Sequence, residues 1–248
     1  MTSLHDEGSG HAGRPGYDEH PGFLVDAFPT IRRPDAGTVL IGEWDTGGPE
    51  GQRAVLDGVA RAWARTPLPA GFLSRVLLAG TDGRSVLNYA QWTSVAAHQE
   101  FVRTERTGLR ERVAGALDGA GVAGGPGPTR FRLHGSLLRD ESPAPGCVVR
   151  VAFRTTGHDA ARQLVDGLLD MFGGRQGGDG GIASHFHISE DGGQVVNYSE
   201  WTDAESHERI VGTALRDGGR VMDFIASVPG VEPQGFRRYT APRGLVRA

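Results

Sequence analysis

An asparagine and a tryptophan four residues apart occur twice in this chain, as Asn88 with Trp92 and as Asn197 with Trp201, and a histidine follows each pair, His98 and His207. An indole offers a broad face for stacking, an amide orients a carbonyl or hydroxyl, and an imidazole moves a proton near neutral pH. Together they suit a pocket for a flat aromatic ligand. Each type also has a structural reading: the tryptophan as core, the histidine as a hydrogen-bonded residue in an apolar stripe. A buried amide without a partner costs about 1 to 3 kcal/mol. Finding it twice at one register points to a shared structural hydrogen bond or to a ligand contact.

Both trios belong to a longer repeat. Val86-Leu87-Asn88-Tyr89-Ala90-Gln91-Trp92-Thr93 returns as Val195-Val196-Asn197-Tyr198-Ser199-Glu200-Trp201-Thr202, an offset of 109 that also sets Gly37 on Gly146, Val39 on Val148, Asp82 on Asp191 and His98 on His207. Register held over that length marks a tandem duplication. Pro128, Phe131 and Arg132 match Pro233, Phe236 and Arg237 at an offset of 105, which implies about four residues lost from the second copy.

The elements that must position these residues follow one order in both copies. A strand comes first, Thr38 to Glu43 or Cys147 to Phe153. A helix follows, Pro49 to Ala64 or His158 to Phe172, with Val55, Val59 and Trp63 or Leu164, Leu168 and Met171 at helical spacing. Next is a hairpin, Phe72 to Ala79 with Ser85 to Trp92 around Asp82-Gly83, or Ile182 to Ser189 with Gln194 to Trp201 around Asp191-Gly192. Thr93, or Thr202 with Glu205, can cap a second helix. The last strand is Thr129 to Leu138, or Gly235 to Tyr239. The order βαββαβ is ferredoxin-like, with helices on one sheet face and an apolar second face that needs a partner sheet. The tandem copy supplies it. The expected fold is α+β, two ferredoxin-like βαββαβ modules forming an intramolecular pseudo-dimeric α+β barrel. The expected division is a flexible segment at 1–36, modules at 37–140 and 146–240, a linker at 141–145 and a tail at 241–248. Phe23-Leu24-Val25 and Phe28 interrupt the polar start, and lie across a sheet edge or a pocket.

Strand periodicity puts Asn88 and Trp92 on one sheet face and Tyr89 on the other, with the same split for Asn197, Trp201 and Tyr198. An even-length turn pairs Phe186 with Asn197 and sets His185 and His187 on the face of Tyr198, whereas an odd-length loop reverses this. On the following helix, Val95, His98, Val102, Leu109 and Val113 form one apolar stripe flanked by Arg112, and His207 lies with Val211, Met222 and Ile225. The expected cavity linings are Leu77 and Val102 in the first copy, and Phe186, Val211 and Met222 in the second.

Composition removes several classes. All 26 basic residues are arginine, so a Schiff-base or phosphate-loop lysine is unavailable. The single Cys147 excludes an internal disulfide or a Cys-based metal cluster and reads as a small buried strand residue. A net charge of -4 with scattered arginines gives no footprint for nucleic acid, and nothing resembles a membrane-surface helix. No run approaches the ~18 apolar residues of a membrane span, and Met1 to Gly22 lacks the pattern of a secretory signal, so a cytoplasmic protein is expected. His185-x-His187 with a third histidine could hold a metal, but no carboxylate or cysteine completes a set at recognisable spacing, and a packed strand at the seam between copies is the expectation.

Asn-Tyr-Ala-Gln-Trp-Thr at 88 to 93 and Asn-Tyr-Ser-Glu-Trp-Thr at 197 to 202 resemble the third strand of antibiotic biosynthesis monooxygenases, especially the type that makes quinones in aromatic polyketide pathways. The resemblance covers the order of elements in both halves. It implies a dimeric α+β barrel in which this Asn and Trp line the pocket, an aromatic polyketide and O2 as substrates, and no need for flavin, metal or nicotinamide. Where such enzymes tend to carry a tyrosine on the second helix this chain has His98 and His207, and the arginine farther along corresponds to Arg112, with Val221 opposite it. Arg112 favours the first half as the active one, while bulkier residues near Asn197 could mark a second substrate site. In the implied mechanism a histidine takes the substrate proton, an asparagine binds the developing oxyanion, and a tryptophan stacks on the ring. A polyketide cyclase or a silent aromatic-ligand binder of the same fold is the alternative. A haem-binding or haem-degrading enzyme is another, although the Trp-to-His spacing here is shorter than theirs. Further association into a homodimer is open.

Overall fold

A strand that buries one face needs a second layer, and each half of this chain supplies strands and helices for it. The computed structural model describes residues 20–118, 127–140, 143–173, 179–216 and 219–248, so most of the expected flexible start and residues 141–142 of the expected linker lie outside the described residues. In chain order the elements are β1 (Phe23–Val25), β2 (Thr38–Asp45), α1 (Pro49–Ala64), β3 (Phe72–Gly80), β4 (Ser85–Trp92), α2 (Val95–Thr104), α3 (Arg106–Ala116), β5 (Thr129–Leu138), β6 (Cys147–Thr155), α4 (His158–Phe172), β7 (Gly181–Ser189), β8 (Gln194–Trp201), α5 (Ala204–Arg216), α6 (Arg220–Ser227) and β9 (Val231–Arg247). The hairpin strands and first helices stand within one residue of expectation. Elsewhere the structure differs. The second helix of each half is two helices, β9 runs from Val231 to Arg247 instead of Gly235 to Tyr239, β2 and β6 end two residues later, and the second helices are capped one residue later than expected. Ser94 accepts from the Ala97 N–H and Asp203 from the Ser206 N–H, because the threonines before them still lie on the strand side of the turn.

Eight strands in the order β9-β3-β4-β2-β5-β7-β8-β6 close into a barrel, since β9 pairs with both β3 and β6, and β1 adds to β9. Closure rests on the last strand of each half. β5 starts beside β2, with Val39 opposite Phe131, then runs along β7, with Leu137 opposite Ser184. β9 starts beside β6, with Val149 opposite Arg238, then runs along β3, with Leu77 opposite Arg243. Each strand therefore begins in its own half and ends in the other, which closes the eight strands and leaves only the short β1 at an edge. Val39, Ile41, Val76, Leu87 and Tyr89 meet Val148, Val196, Tyr198 and Tyr239 in one buried cluster drawn from both halves.

Polar groups inside that cluster join the halves. The Tyr89 hydroxyl lies 3.0 Å from His187 Nε2, and Tyr239 donates to Glu43, whose carboxylate also takes Arg150 and Arg237. The even-turn register holds: His185 is opposite Tyr198 and Phe186 opposite Asn197. His187 is wholly buried against Tyr89, and His185 Nδ1 lies 2.8 Å from Ser136 Oγ. Among the described residues no three metal-ligating side chains come together. Cys147 is fully buried, and burial pushes its thiol up to about 11.

Segment Phe23–Val25 takes the sheet-edge position, paired with β9, and the Phe23 ring stacks on Phe72 at 5.9 Å. Two glycine pairs keep the repeat in register. Gly83 and Gly192 hold φ of 71° and 69° in the hairpin turns. A Cβ at Gly37 would stand 2.2 Å from the Thr93 carbonyl oxygen, and one at Gly146 would stand 2.3 Å from that of Thr202. No helix among the described residues is long and apolar enough to cross a membrane.

Candidate active site

Aromatic side chains on the helix side of β2, β3 and β4 build the wall of a cavity. Trp63 of α1 lies 4.9 Å from Phe72, Phe72 lies 5.5 Å from Trp92, and Trp92 lies 5.2 Å from Phe101 of α2. Such contacts contribute about 0.5 to 1.5 kcal/mol each beyond area burial and hold the rings in fixed planes. The cavity beside them has a volume of about 1260 Å³, and its lining includes Trp44, Trp63, Trp92, Phe101, Val102 and Leu109. Small-ligand sites occupy roughly 300 to 1,000 Å³, so a fused-ring guest fits with room for a substituent.

Into this apolar space the strands bring a cation and an amide. Arg75 on β3 is opposite Ala90 on β4, which places it on the sheet face of Asn88. Its Nε donates to Asn88 Oδ1 at 2.9 Å, and its guanidinium lies 5.1 Å over the Trp63 ring. Guanidinium only donates, so this bond fixes the amide with its oxygen toward Arg75 and its NH2 free to donate elsewhere. Asn88 is buried, and both residues line the cavity. Burial lowers Arg75 to about 10, which still leaves it cationic at neutral pH. No carboxylate among the described residues pairs with it. The cavity lining thus carries amide and guanidinium donors side by side and one positive charge.

His98 lines the same cavity, its ring 5.3 Å from Trp92 in an edge-to-face contact. Burial first, then the charges of Arg130 and Arg106, lower its pKa to about 4, so it is neutral at pH 7. Arg130 Nη2 stands 3.4 Å from His98 Nδ1. Since arginine cannot accept, Nδ1 must be the unprotonated nitrogen, and the neutral ring carries its proton on Nε2. His98 thereby has a donor, not an acceptor, left on Nε2. Glu190, from the β7–β8 hairpin of the other half, stands 3.8 Å from Arg130 and donates its backbone N–H to the Arg130 carbonyl at 3.0 Å.

The second trio is assembled the same way but surrounded differently. Trp201 lies 4.9 Å from His207 edge-to-face, and Arg238 Nε donates to His207 Nδ1 at 3.0 Å. His207 is also lowered to about 4, by burial and then by Arg238. Phe236 packs on it at 5.2 Å. Asn197 Oδ1 is buried with no hydrogen-bond partner among the described residues, because Ser184 takes the place of Arg75.

Asn88, Trp92, His98 and Val102 therefore come together in one cavity, whereas in the second half Trp201 and His207 meet and Asn197 shares the strand face of Trp201. Arg112 stands apart from the cavity. It is exposed on α3 and donates to Thr66 Oγ1 at 3.1 Å, at the C-terminal end of α1 where a cation is favoured. The break at Glu105 between α2 and α3 shifts the helical phase that would have carried it beside His98. Leu77 shares the Asn88 face but is buried between α1 and β9, where the space is only about 10 Å³. Phe186 is core, packed with Leu164 and Leu168, Val211 is half-buried on α5, and Met222 is 57% exposed. Met222 leaves the stripe because α6 is a separate helix.

Sequence reasoning missed Arg75, Arg130 and Glu190. The register rule that placed Phe186 would have found Arg75 on the Asn88 face. Arg130 and Arg238 were hidden by the Phe-Arg dipeptides at 131–132 and 236–237. Opposite equivalent residues Leu40 and Val149, the sheet sets Arg130 against Arg238, an offset of 108 in place of 105.

No family model matches the chain, and no curated protein does. Among solved structures, one described as an anthrone oxidase-like protein superposes with a TM-score of 0.61 at 16% identity, over 90% of this chain and 96% of its own. A protein of Lactobacillus acidophilus provisionally named a monooxygenase gives 0.52 at 10% identity, over 85% and 96%. One of Fusobacterium nucleatum, named in the same way, gives 0.50 at 8%, over 86% and 94%. At such identities the likeness is one of fold, and this chain shares the α+β architecture of those three proteins across most of their length.

Proposed function

We propose that the first-half cavity oxidises a phenolic or anthrone-type aromatic polyketide intermediate with O2 to a quinone or hydroxylated product, without flavin, metal or nicotinamide. The observation that carries this reading is the Arg75–Asn88 pair set into an aromatic-walled cavity. The anthrone oxidase-like neighbour and the resemblance of the 88–93 segment support it. We read the barrel as an intramolecular pseudo-dimer, with modules at 37–140 and 146–240 in the places of two subunits.

An anthrone or phenol reacts with O2 only after losing a proton, and a positive charge with convergent donors at its oxygen lowers the cost of that loss. Arg75 and the Asn88 NH2 hold the developing oxyanion, Trp92 and Trp63 face the ring, and His98 Nε2–H serves a second oxygen. The proton passes to water at the cavity mouth, since His98 is too weak a base to keep it. The anion gives one electron to O2, the resulting superoxide and carbon radical combine, and the peroxide loses water. In sum the substrate loses two hydrogens and gains one oxygen, and the second oxygen atom leaves as water. Water excluded by the aromatic wall limits escape of the peroxide.

The test is incubation of the protein with an anthrone, under air and anaerobically, with no additive. Quinone should form above the uncatalysed rate, with one O2 consumed per product. No acceleration under air overturns the proposal, as does quinone formation that continues at the same rate without O2.

A further inference from the structure

The cavity holds more positive charge than the oxidation chemistry uses. Arg106 and Arg110 stand one helical turn apart on α3 and both line it, as does Arg130 on β5. Like charges at that spacing repel. Among the described residues no carboxylate pairs with Arg106 or Arg110. The acids of the lining are otherwise engaged or peripheral. Asp191 is tied within its own hairpin by Ser189 and Gly193, Glu190 faces Arg130, and Asp118 is exposed beyond the end of α3. Arg106 is near enough to His98 for its charge to help lower that imidazole. A second anion locus thus lies at the His98 end of the cavity, apart from the Arg75–Asn88 locus.

We infer that the substrate is an aromatic carboxylic acid, bound with its reacting ring oxygen at Arg75 and Asn88 and its carboxylate at Arg106 and Arg110, since Arg130 is already matched by Glu190. This deepens the oxidation proposal and rests on it for the word substrate, while the binding it describes is independent of turnover. An arginine fork matches a carboxylate in two parallel hydrogen bonds, and two anchors at separate ends of a rigid ring fix which carbon faces O2. A neutral polyketide of the same shape would leave the α3 guanidiniums without an anion.

The probe pair is anthraquinone-2-carboxylate and anthraquinone-2-carboxamide, which differ in charge but hardly in shape. Binding is followed by calorimetry and by quenching of tryptophan fluorescence, without oxidisable substrate. The acid should bind at least tenfold tighter than the amide, and the margin should shrink as salt rises from about 0.05 to 0.5 M. Arg106→Gln with Arg110→Gln should erase the margin and leave amide binding intact. Both residues are exposed, so the fold should survive, and Arg154→Gln, on the far strand β6 in a surface pair with Glu232, should keep the margin. Equal affinity for acid and amide overturns the inference, as does a margin that persists in the double variant. If the acid is preferred but no anthrone is oxidised, the proposed function fails and the anion site stands. If an anthrone is oxidised and the two probes bind alike, the reverse holds.

Discussion

The two halves of this barrel share a backbone plan and differ in what surrounds the same three side chains. Each half carries Asn and Trp on its third strand, a His one turn into the next helix, and an Arg on its last strand that donates to that His. Each hairpin also reaches across the seam: Glu190 donates its N–H to the Arg130 carbonyl, and Thr81 does the same to Arg238. The differences are a few substitutions. Arg75 becomes Ser184, the Glu190 position becomes Thr81, and Pro128 gives way to Phe236 on the histidine. The first half therefore offers its amide NH2 beside a cation, while the second leaves an amide oxygen buried without a partner among the described residues. The two halves thus agree in the contacts that close the barrel and differ in side chains that closure does not constrain.

The largest effect should come from breaking the difference at β3. Arg75→Met removes the buried charge and one donor, and also frees the Asn88 amide to rotate. Losing one preorganised donor to an oxyanion costs about 10² to 10³ in rate, so kcat/KM for the anthrone should fall by at least 100-fold. Ser184→Ala, at the equivalent site, should change it less than threefold. Steady-state kinetics on both variants checks this. Equal losses would mean that both halves work, and no loss at Arg75 would remove the oxyanion locus.

The shared features should respond alike. Gly37 and Gly146 each bring a backbone against the carbonyl after a tryptophan, with room for no Cβ. Alanine at either should destabilise by about 1 to 3 kcal/mol through forced backbone shifts, and by similar amounts, as read from denaturant midpoints. A markedly smaller loss at one site would show that its half relaxes independently of the barrel.

These contrasts separate what was readable in the sequence from what was not. Period-two alternation, the Asp-Gly turns and the repeat of Asn-Tyr-x-x-Trp-Thr fixed the hairpins and which face Asn88 and Asn197 occupy, since these are local properties of a strand. The closed barrel was legible as an apolar second face needing a partner. The placement of Arg75 was not, because an arginine in a strand is ordinarily exposed, and here the packing of α1 sets Trp63 over it. Arg112 misled for the opposite reason. Its place was extrapolated along a continuous helix, whereas Glu105 breaks that helix and resets the phase.

The smallest effect distinguishes the two histidines. Both are lowered to about 4, and the wholly buried His187 is lowered to about 3, chiefly by burial. The unfolded chain, with histidine near 6.5, then binds more protons than the folded one between those values. Stability is fully present above about pH 6.5 and is lost as pH falls toward 4. His98 is more exposed than His207, which is 7% accessible, so solvent screens its share more strongly. Replacing His207 by Gln should flatten the loss between pH 7 and 5 by about 1 kcal/mol, and the same change at His98 should flatten it by less. In the double variant the remaining histidine contribution is that of His187, so the loss is shallower but still begins near pH 6.5 and runs on toward about 3. Denaturation midpoints across pH, with imidazole titrations by NMR, measure this directly. A titration of His207 near 6.5 would overturn the asymmetry, since it would place the ring in water and free of Arg238.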